Sequence, residues 1–481
     1  MKRIIFTIKK ICKLNCFLIF ILLIGSVIFV PENTYANTDS EKYYNMHLEN
    51  KFKKGAYFSQ VFDKPIDQVT DFKDLDFIIY AFAEPTDTGY INPLKKENQA
   101  KDLITKAHAN GVACFISFGG KYSYYDFCEI GKDENKTNFF TENVVDLCKK
   151  YGFDGVDIDW ESPIPSDTEA CNRLFKSLST ACKENKLYFT AALPGTYSPT
   201  EAVAELAGGF SDQALSRLDW VHLMTYSMEK LNSPLEFSEN SINYWNKVRK
   251  IPKNKIILGV PFMAMPSYKN YDWIVAQDIK YALLNKAPGT KDYPLESNYD
   301  GYNRIYEKTK IALRDAGGIF SWTINMDSQT KYNLTKRIGD TVRDAQKIGL
   351  NRFTKQISIF LDNNLLNYNI NTGYPYYDAN NRTLVPIRAT AEAAGLKVTW
   401  NQETLTATAE KNGTVIKIPL NKNQITINGE TKTIDTNAVS YNGRIYIPIR
   451  AAFEGLGYKN ITWNRISNTI YVDNDMTGES K

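Results

Sequence analysis

The residues best suited to chemistry are the carboxylates of one short segment, Asp154-Gly155-Val156-Asp157-Ile158-Asp159-Trp160-Glu161. The apolar residues between the acids favour a β-strand, in which alternate side chains share one face. Asp157, Asp159 and Glu161 would then point in the same direction. Because burying carboxylates away from water is costly, a purely structural role explains this pattern poorly. The segment therefore predicts a catalytic cluster.

The spacing of these acids also suggests their roles. Alternate residues of a strand are ~6.6 Å apart, so three such carboxylates cannot all ionise freely. At least one must keep its proton near neutral pH, as a general acid requires. Glu161 comes last, nearest the open end of the strand, and is the expected proton donor. We expect Asp159 to support it, Asp157 to share a proton with Asp159, and Asp154 at the strand entrance to be structural.

A second carboxylate for this cluster is not evident. A retaining glycoside hydrolase usually places one about 5 Å from the acid, as the nucleophile. No matching acid stands out at another predicted strand end. A 2-acetamido sugar can replace that nucleophile, because its own carbonyl oxygen can attack C1 and form an oxazolinium intermediate. That scheme needs one acid, one carboxylate to orient the acetamido N–H, and one donor to its oxygen.

The acidic segment belongs to a series of eight short apolar runs that alternate with helical patterns. Strands that alternate with helices pair in parallel, so eight such units predict an α/β fold, a closed (β/α)₈ TIM barrel. In that fold the chemistry lies at the carboxyl ends of the strands. The predicted strands are Ala56–Phe58, Phe77–Phe82, Ala113–Phe118, Gly155–Trp160, Leu187–Ala192, Trp220–Tyr226, Ile256–Val260 and Gly318–Thr323.

Charge and composition exclude several kinds of partner. The 481 residues carry a net charge of +4, and residues 1–36 account for all of that excess. The neutral remainder has no basic surplus to bind nucleic acid but is compatible with a neutral ligand. The three histidines, His47, His108 and His222, show no paired spacing. We therefore expect neither a histidine-rich metal site nor a cofactor.

The amino-terminal segment resembles an export signal. A lysine-rich start precedes an apolar run of 14 residues, Phe17–Val30, and then the small-residue motif Thr34-Tyr35-Ala36. The run is shorter than the ~20 residues that a membrane-spanning helix needs. An uncleaved membrane anchor is the alternative. We expect residues 1–36 to be a cleaved signal peptide and the protein to be secreted, with a location on a Gram-positive-like cell surface left open.

A repeat replaces the strand–helix alternation after about residue 350. The segment Arg382–Arg388 is echoed by Arg444–Arg450, and Trp400 and Trp463 then recur in matching Thr-Trp-Asn contexts. The offset is 62 residues at the proline of each segment and 63 at the tryptophans. This indicates one strand–helix–strand unit used twice. We expect a smaller α+β repeat domain that packs on the barrel or follows it on a short tether.

The acidic segment resembles the DGxDxDxE signature of the family-18 glycoside hydrolases, the chitinase family. Further motifs match in chain order over residues 55–345, and the acidic octad is the most specific of them. They are Ile79-Tyr80-Ala81-Phe82, Ser117-Phe118-Gly119-Gly120, Ala191-Ala192-Leu193-Pro194, Met224-Thr225-Tyr226, Ile257-Leu258-Gly259-Val260-Pro261 and Gly317-Gly318-Ile319-Phe320-Ser321-Trp322. The resemblance implies the barrel fold and the substrate-assisted mechanism, for which the family is the known example.

The resemblance also implies roles for individual residues. Glu161 resembles the proton donor, Asp159 the acid that orients the acetamido group, and Asp157 its proton-sharing partner. Tyr226 resembles the hydroxyl that binds the acetamido oxygen. The substrate-binding residues implied by the family are one aromatic surface beneath the sugar and two side chains that line it, namely Trp322, Phe82 and Met224. His222 shares a strand face with Met224 and Tyr226 but is expected to be a satisfied core histidine.

Three positions depart from the family pattern. Ser227 follows the strand-six tyrosine where an aspartate is usual, Lys121 replaces a stacking tryptophan, and Met263 stands where an aromatic residue is common. Only 57 residues separate Val260 from Gly318, which leaves little room for the α+β insertion of deep-cleft chitinases. These departures predict a shallow, open groove that cuts its polymer internally.

The carboxyl-terminal repeat resembles the copper amine oxidase N-terminal-like (stalk) domain of exported Gram-positive proteins. Residues 355–481 contain no histidine or cysteine, so the resemblance does not imply copper. Attachment to the cell envelope and carbohydrate binding are the functional hypotheses for it, with a plain structural appendage as the alternative. The expected domains are a signal peptide at 1–36, the barrel at 50–350 and the repeat at 355–473.

Together these features predict a secreted, monomeric, endo-acting hydrolase of β-1,4-linked N-acetylglucosamine polymers, with chitin as the leading substrate. Peptidoglycan or spore cortex, and the chitobiose core of N-glycans, carry the same 2-acetamido group and remain alternatives. A catalytically silent chitin-binding lectin is the alternative from another class. The presence of Glu161, the predicted acid, favours an enzyme.

Overall fold

The computed structural model describes residues 42–201, 204–226 and 232–474. The predicted signal peptide and Ser227 lie outside the described residues. The described residues belong to one compact unit, which contains both the barrel and the repeat domain. In the described part of the chain, no helix has the length and apolar character needed to cross a membrane.

Eight parallel strands close into a barrel, as the sequence predicts. Their spatial order is β1-β11-β7-β6-β5-β4-β3-β2, and β1 pairs with β2 to complete the ring. Each strand agrees with a predicted one to within three residues at either end. The strands are β1 (Lys53–Ser59), β2 (Phe77–Ala83), β3 (Ala113–Gly119), β4 (Gly155–Asp159), β5 (Tyr188–Pro194), β6 (Trp220–Met224), β7 (Ile256–Pro261) and β11 (Gly318–Trp322).

Helices follow the barrel strands and cover their outer faces, as parallel strand pairing requires. The α-helices are α1 (Glu97–Ala109), α2 (Tyr124–Lys132), α3 (Glu134–Tyr151), α4 (Thr168–Glu184), α5 (Ala204–Ala207), α6 (Asp212–Leu215), α7 (Leu235–Asn243), α8 (Tyr271–Gln277), α9 (Tyr302–Asp315), α10 (Leu334–Ile348) and α11 (Leu350–Lys355). The five cysteines in this region are buried free thiols, so no disulfide joins these elements.

Aromatic side chains fill the lower part of the barrel interior. Phe77, Phe115, Tyr188, Trp220 and Phe320 pack there, with ring centroids 5.1–5.6 Å apart in the pairs Phe77–Phe115, Phe115–Tyr188 and Tyr188–Trp220. These rings fill the interior near the amino ends of the strands, so the polar side chains occupy the layers near the carboxyl ends. The packed interior thus confines any site to that face.

The segment between β7 and β11 departs from the sequence-based expectation. It does hold a small α+β unit, in which α8 accompanies a three-stranded antiparallel sheet of order β8-β10-β9. These strands are only two residues long, which is why so short a segment accommodates them. They are β8 (Met265–Pro266), β9 (Lys286–Ala287) and β10 (Ser297–Asn298).

The carboxyl-terminal domain consists mostly of strands, with two short helices. Its helices are α12 (Ile387–Ala393) and α13 (Ile449–Gly455). Its strands are β12 (Ser358–Leu361), β13 (Asn364–Leu365), β14 (Tyr376–Tyr377), β15 (Thr383–Pro386), β16 (Lys397–Asn401), β17 (Thr406–Lys411), β18 (Thr414–Pro419), β19 (Gln424–Ile427), β20 (Glu430–Thr433), β21 (Val439–Tyr441), β22 (Arg444–Pro448), β23 (Asn460–Asn464) and β24 (Thr469–Asp473).

The predicted strand–helix–strand repeat is confirmed. It comprises β15-α12-β16 in the first copy and β22-α13-β23 in the second. The hairpins that end the two copies have equivalent registers, with Trp400 opposite Ala407 and Trp463 opposite Ile470. β15 and β22 pair antiparallel, so the copies join within one sheet.

The repeat domain packs on helix α9 of the barrel. Ser467 Oγ donates to Glu307 Oε1 at 2.6 Å, and Arg314 donates to the carbonyl of Ile466 at 2.7 Å. Phe360 and Tyr306 meet in a small apolar cluster at the same contact. Charged residues of α9 are therefore buried, and the two domains lie in direct contact.

Candidate active site

Asp157 occupies the centre of the polar layer, at the carboxyl half of β4. Pairing with β3 and β5 places it beside Ser117 and Thr190. Its Oδ2 accepts hydrogen bonds from Tyr57 and Ser117, both at 2.7 Å. Its Oδ1 accepts from Thr190 at 2.7 Å and from His222 Nδ1 at 3.1 Å. Four donors thus converge on one fully buried carboxylate.

These donors decide the charge of Asp157. Burial raises its pKa, but the hydrogen bond from His222 and the electrostatic attraction of that residue, together with the hydrogen bonds from Thr190 and Ser117, outweigh that effect, and the pKa lies below its ordinary value. With both oxygens engaged by donors, the carboxylate has little capacity left to accept a proton from Asp159. The arrangement therefore favours an ionised Asp157 over the proton sharing expected from the sequence.

Asp159 has the opposite environment. It is 3% exposed, and among the described residues its Oδ1 has no hydrogen-bond partner. Burial raises its pKa well above the ordinary value, and the nearby charges of Glu161 and Asp157 raise it further. These effects favour the protonated form of Asp159, and its Oδ1 is available to a ligand.

Glu161 lies two residues beyond the end of β4 and is half-buried at the barrel mouth. Burial raises its pKa, while the positive charge of Lys121 lowers it. The pairing of Gly119 with Asp159 carries Lys121 alongside Glu161, because each lies two residues further along its chain. The residue that departs from the family pattern is thus an exposed cation next to the predicted acid.

Tyr226 and Met224 come from the end of β6, and both side chains are partly exposed. Burial raises the pKa of the Tyr226 phenol well above its ordinary value, and the charges of Asp159 and Glu161 raise it further. The phenol therefore keeps its proton and can donate a hydrogen bond. Met224 lies beside it at the last position of the strand.

Aromatic rings cover the barrel interior beside the carboxylates. The Trp322 ring lies 5.8 Å from Phe82 and 5.4 Å from Tyr57, measured between centroids, and both Trp322 and Phe82 remain partly exposed. Non-proline cis peptide bonds join Ala81 to Phe82, Glu161 to Ser162 and Trp322 to Thr323. A partly exposed indole at the carboxyl end of the barrel is a surface on which a sugar ring could lie.

The structure thus gathers all seven predicted residues at one end of the barrel. Sequence reasoning missed the roles of Tyr57, Thr190 and Ser117 as donors to Asp157, although Ser117 was part of a recognised motif. His222 is buried and satisfied, as expected, but its partner is Asp157 itself. Strand register is the signal that could have found Ser117 and Thr190, since both align with Asp157 in the predicted barrel order.

Asp154 is structural, as its place at the start of β4 suggested. Its Oδ2 accepts from the Cys114 amide at 2.7 Å and lies 2.8 Å from His108 Nε2, which ties β4 to β3 and α1. Within residues 42–201, 204–226 and 232–474, no group of three or more His, Cys, Asp or Glu side chains is placed to hold a metal ion.

Two family models match the chain. Residues 53–327 match the model of glycosyl hydrolases family 18, and residues 360–472 match that of the copper amine oxidase N-terminal domain. An endochitinase of Brugia malayi is 25% identical over 253 residues, which are 45% of this chain and 50% of that protein. The chain spans half or less of the length of the first curated relatives it matches.

Solved structures share the barrel fold. A GH18 chitinase of Cycas revoluta, solved with (GlcNAc)3, superposes with a TM-score of 0.52 at 20% identity and covers 60% of this chain and 99% of that one. A chitinase-like agglutinin of Robinia pseudoacacia superposes with a TM-score of 0.50 at 19% identity and covers 60% and 98%. The family-18 model covers more than half of the sequence, including every barrel strand. The chain belongs to glycosyl hydrolases family 18.

Proposed function

We propose that the barrel hydrolyses β-1,4-linked N-acetylglucosamine polymers, with chitin and chitooligosaccharides as the leading substrates. The observation that carries this proposal is the environment of Asp159, a buried carboxyl group whose raised pKa favours its protonated form and whose Oδ1 has no hydrogen-bond partner among the described residues. Such a group suits an acetamido N–H, which a plain glucose polymer lacks. The names of the family relatives support the same substrate class.

In the proposed mechanism, Glu161 donates its proton to the glycosidic oxygen as the bond from that oxygen to C1 breaks. The acetamido carbonyl oxygen of the same sugar attacks C1, and an oxazolinium ion forms with inverted configuration at C1. Asp159 Oδ1 accepts the acetamido N–H, and the Tyr226 hydroxyl donates to the acetamido oxygen. Ionised Asp157 favours the proton on Asp159, because two adjacent carboxylates do not readily both ionise.

The second step reverses the proton transfer. Ionised Glu161 removes a proton from water, and the water oxygen attacks C1 and opens the oxazolinium ring. The product has the configuration of the substrate, and Glu161 regains its proton. Trp322 and Phe82 would hold the reacting sugar by contact with its apolar face, with Met224 at its side.

Peptidoglycan or spore cortex and the N-glycan core offer the same acetamido group, so the chemistry alone does not separate them from chitin. The Lys121 ammonium at the mouth favours the peptidoglycan alternative, because that polymer carries carboxylates. A silent chitin-binding lectin is the alternative without turnover, and one solved neighbour is described as a chitinase-like agglutinin. The pKa of Glu161, raised by burial, supports an enzyme instead.

We further infer that the protein is exported and that its repeat domain contacts cell-envelope polysaccharide. Trp463 is 59% exposed and Trp400 is 36% exposed, at equivalent positions of the two repeats. The Asn468 Oδ1 atom accepts hydrogen bonds from the Tyr377 hydroxyl at 2.7 Å and from Trp463 Nε1 at 3.4 Å. The exposed rings of Tyr377 and Trp463 are thereby held in place, as stacking against sugars would need.

The deciding experiment incubates the protein from Asn37 onward with chitin oligosaccharides and, separately, with purified peptidoglycan, and identifies the products by mass spectrometry. Cleavage of the oligosaccharides by the wild type but not by Glu161→Gln would support the chitinase proposal. Cleavage of peptidoglycan alone would move the substrate to the bacterial wall or spore. No cleavage of either, with an intact fold and retained ligand binding, would contradict hydrolysis of both polymers.

A further inference from the structure

Two buried residues of β6, Trp220 and His222, lie next to Asp157 and have no part in the steps above. The Trp220 Nε1 atom lies 3.0 Å from His222 Nε2. On the other side of the imidazole ring, Nδ1 lies 3.1 Å from Asp157 Oδ1. Both side chains are fully buried, so bulk water does not compete for these contacts.

The tryptophan determines which imidazole nitrogen carries the proton. An indole N–H can only donate a hydrogen bond, so His222 Nε2 must accept it and cannot itself bear a proton. A doubly protonated ring would set two N–H groups against each other at this distance. His222 is therefore a neutral imidazole with its proton on Nδ1, and it donates that proton to the Asp157 carboxylate.

The groups around the imidazole ring reinforce the neutral form. Aromatic rings of Tyr57, Phe77 and Phe320 surround it at 5.2–5.8 Å between centroids. Such an apolar environment disfavours an imidazolium ion. The Asp157 charge acts in the opposite direction and would favour it, so without the indole donor the ring could take a second proton.

Three further ionisable groups face the pair from neighbouring strands. The Tyr57 hydroxyl of β1 lies 3.5 Å from His222 Nδ1 and donates to Asp157. The Lys53 ammonium of β1 lies 5.5 Å from the centre of the Trp220 ring, on the side away from the carboxylates. Tyr188 of β5 packs 5.1 Å from the same indole.

We propose that Trp220 and His222 are positioning residues, in which the indole N–H holds the imidazole as a neutral donor. Asp157 then stays ionised, and the proton of the Asp157–Asp159 pair stays on Asp159. An imidazolium ion at this place would also stabilise ionised Asp159 and release the proton that the acetamido group needs. The placement of the histidine proton stands independently of substrate; its kinetic consequence rests on the proposed function.

The placement is tested by ¹⁵N NMR of the histidine-labelled protein. The chain has only three histidines, so the His222 signals are assigned by their loss in His222→Asn. We expect a neutral ring with its proton on Nδ1 in the wild type, and the loss of this single form in Trp220→Phe. A wild-type His222 that carries its proton on Nε2, or carries protons on both ring nitrogens, would overturn the proposal.

The kinetic consequence is tested by the pH profile of kcat/KM on chitin oligosaccharides. Trp220→Phe keeps an aromatic ring in the core, so we expect activity within about twofold of wild type at pH 8 but roughly tenfold lower at pH 5, as expected if the buried imidazole gains a proton once the indole donor is lost. The double variant with His222→Asn, which can donate but not titrate, should recover the lost activity at pH 5.

Equal loss at every pH, or an acid-side loss that persists in the double variant, would mean that the pair acts only through packing. Absence of hydrolysis by the wild type would contradict the proposed function instead, and the NMR result would still decide where the histidine proton lies. The two failures are therefore distinguishable.

Discussion

Tyr57 of β1 reaches through the barrel interior and donates a 2.7 Å hydrogen bond to Asp157 of β4, a strand separated from β1 by β2 and β3. The same ring lies 5.4 Å from Trp322, the proposed sugar platform. One side chain thus connects the charge of the innermost carboxylate with the aromatic surface beside it.

Removing that hydroxyl should change the acid side of the pH profile. Tyr57→Phe retains the ring against Trp322 but takes one donor from Asp157, so the pKa of Asp157 should rise. Since Asp157 acts as an anion, activity should then be lost at a higher pH than in the wild type. A hydrogen bond to a charged group contributes about 1.5–3 kcal/mol, so we expect kcat/KM to fall by at least roughly tenfold.

Thr190→Val is the matched test on the other Asp157 oxygen, and it should shift the profile in the same direction. An unchanged acid limb in both variants would mean that these hydroxyls do not hold the charge of Asp157. The pH dependence of kcat/KM for chitin oligosaccharides measures both effects.

Lys121 should control the basic side of the same profile. Its positive charge favours ionised Glu161 and lowers the pKa of the acid. In Lys121→Gln that pKa should rise, so the protonated acid, and with it kcat/KM, should persist to higher pH. At high salt, the difference in the pKa of Glu161 between the wild type and Lys121→Gln should become smaller, because salt screens exposed charges. A basic limb that moves to lower pH would contradict this arrangement.

The repeat domain offers an internally matched pair of variants. Trp463→Ala should reduce binding of the protein to insoluble polysaccharide more than Trp400→Ala, because Trp463 is the more exposed and shares Asn468 with Tyr377. Turnover of soluble oligosaccharides should stay unchanged in both variants. Pull-down with chitin and with cell-wall preparations measures the bound fraction. Unaltered binding in both variants would favour a plain structural appendage.

Lys310 links the stability of the protein to pH at the domain contact. Its ammonium donates to the Gln356 carbonyl at 2.7 Å and to Ser358 Oγ at 2.9 Å, and burial lowers its pKa to about 7. Between about pH 7 and its unfolded value near 10.5, the unfolded chain binds more protons at this residue than the folded one. The free energy of unfolding should therefore gain up to about 1.4 kcal/mol per pH unit from Lys310 as pH rises.

Lys310→Met should remove this contribution. Denaturant unfolding of the variant and the wild type from pH 7 to 10 measures it, as a difference in the slope of the free energy of unfolding against pH. Lys347→Met, on the exposed side of α10, is the control and should leave the slope unchanged. Equal slopes for wild type and Lys310→Met would contradict burial of the lysine at this contact.

Much of the architecture could be read from the chain because its signals are local. Each barrel strand is a short apolar run between helical patterns, and alternation within Asp154–Glu161 places three carboxylates on one face. The repeated Trp400 and Trp463 contexts likewise predicted two copies of one unit. Strand ends were less accurate, and β4 ends at Asp159, before the predicted Trp160. The small sheet between β7 and β11 was missed because two-residue strands leave no periodic pattern.

The sequence by itself therefore determined the barrel, the repeat and the identity of the acidic cluster. Only the tertiary structure decided how the protons are distributed within that cluster. The charge of Asp157 depends on Tyr57, Ser117, Thr190 and His222, which come from four other strands and meet only when the barrel closes. Ionisation is set by what surrounds a carboxyl group in space, and neighbours in space are not neighbours in sequence.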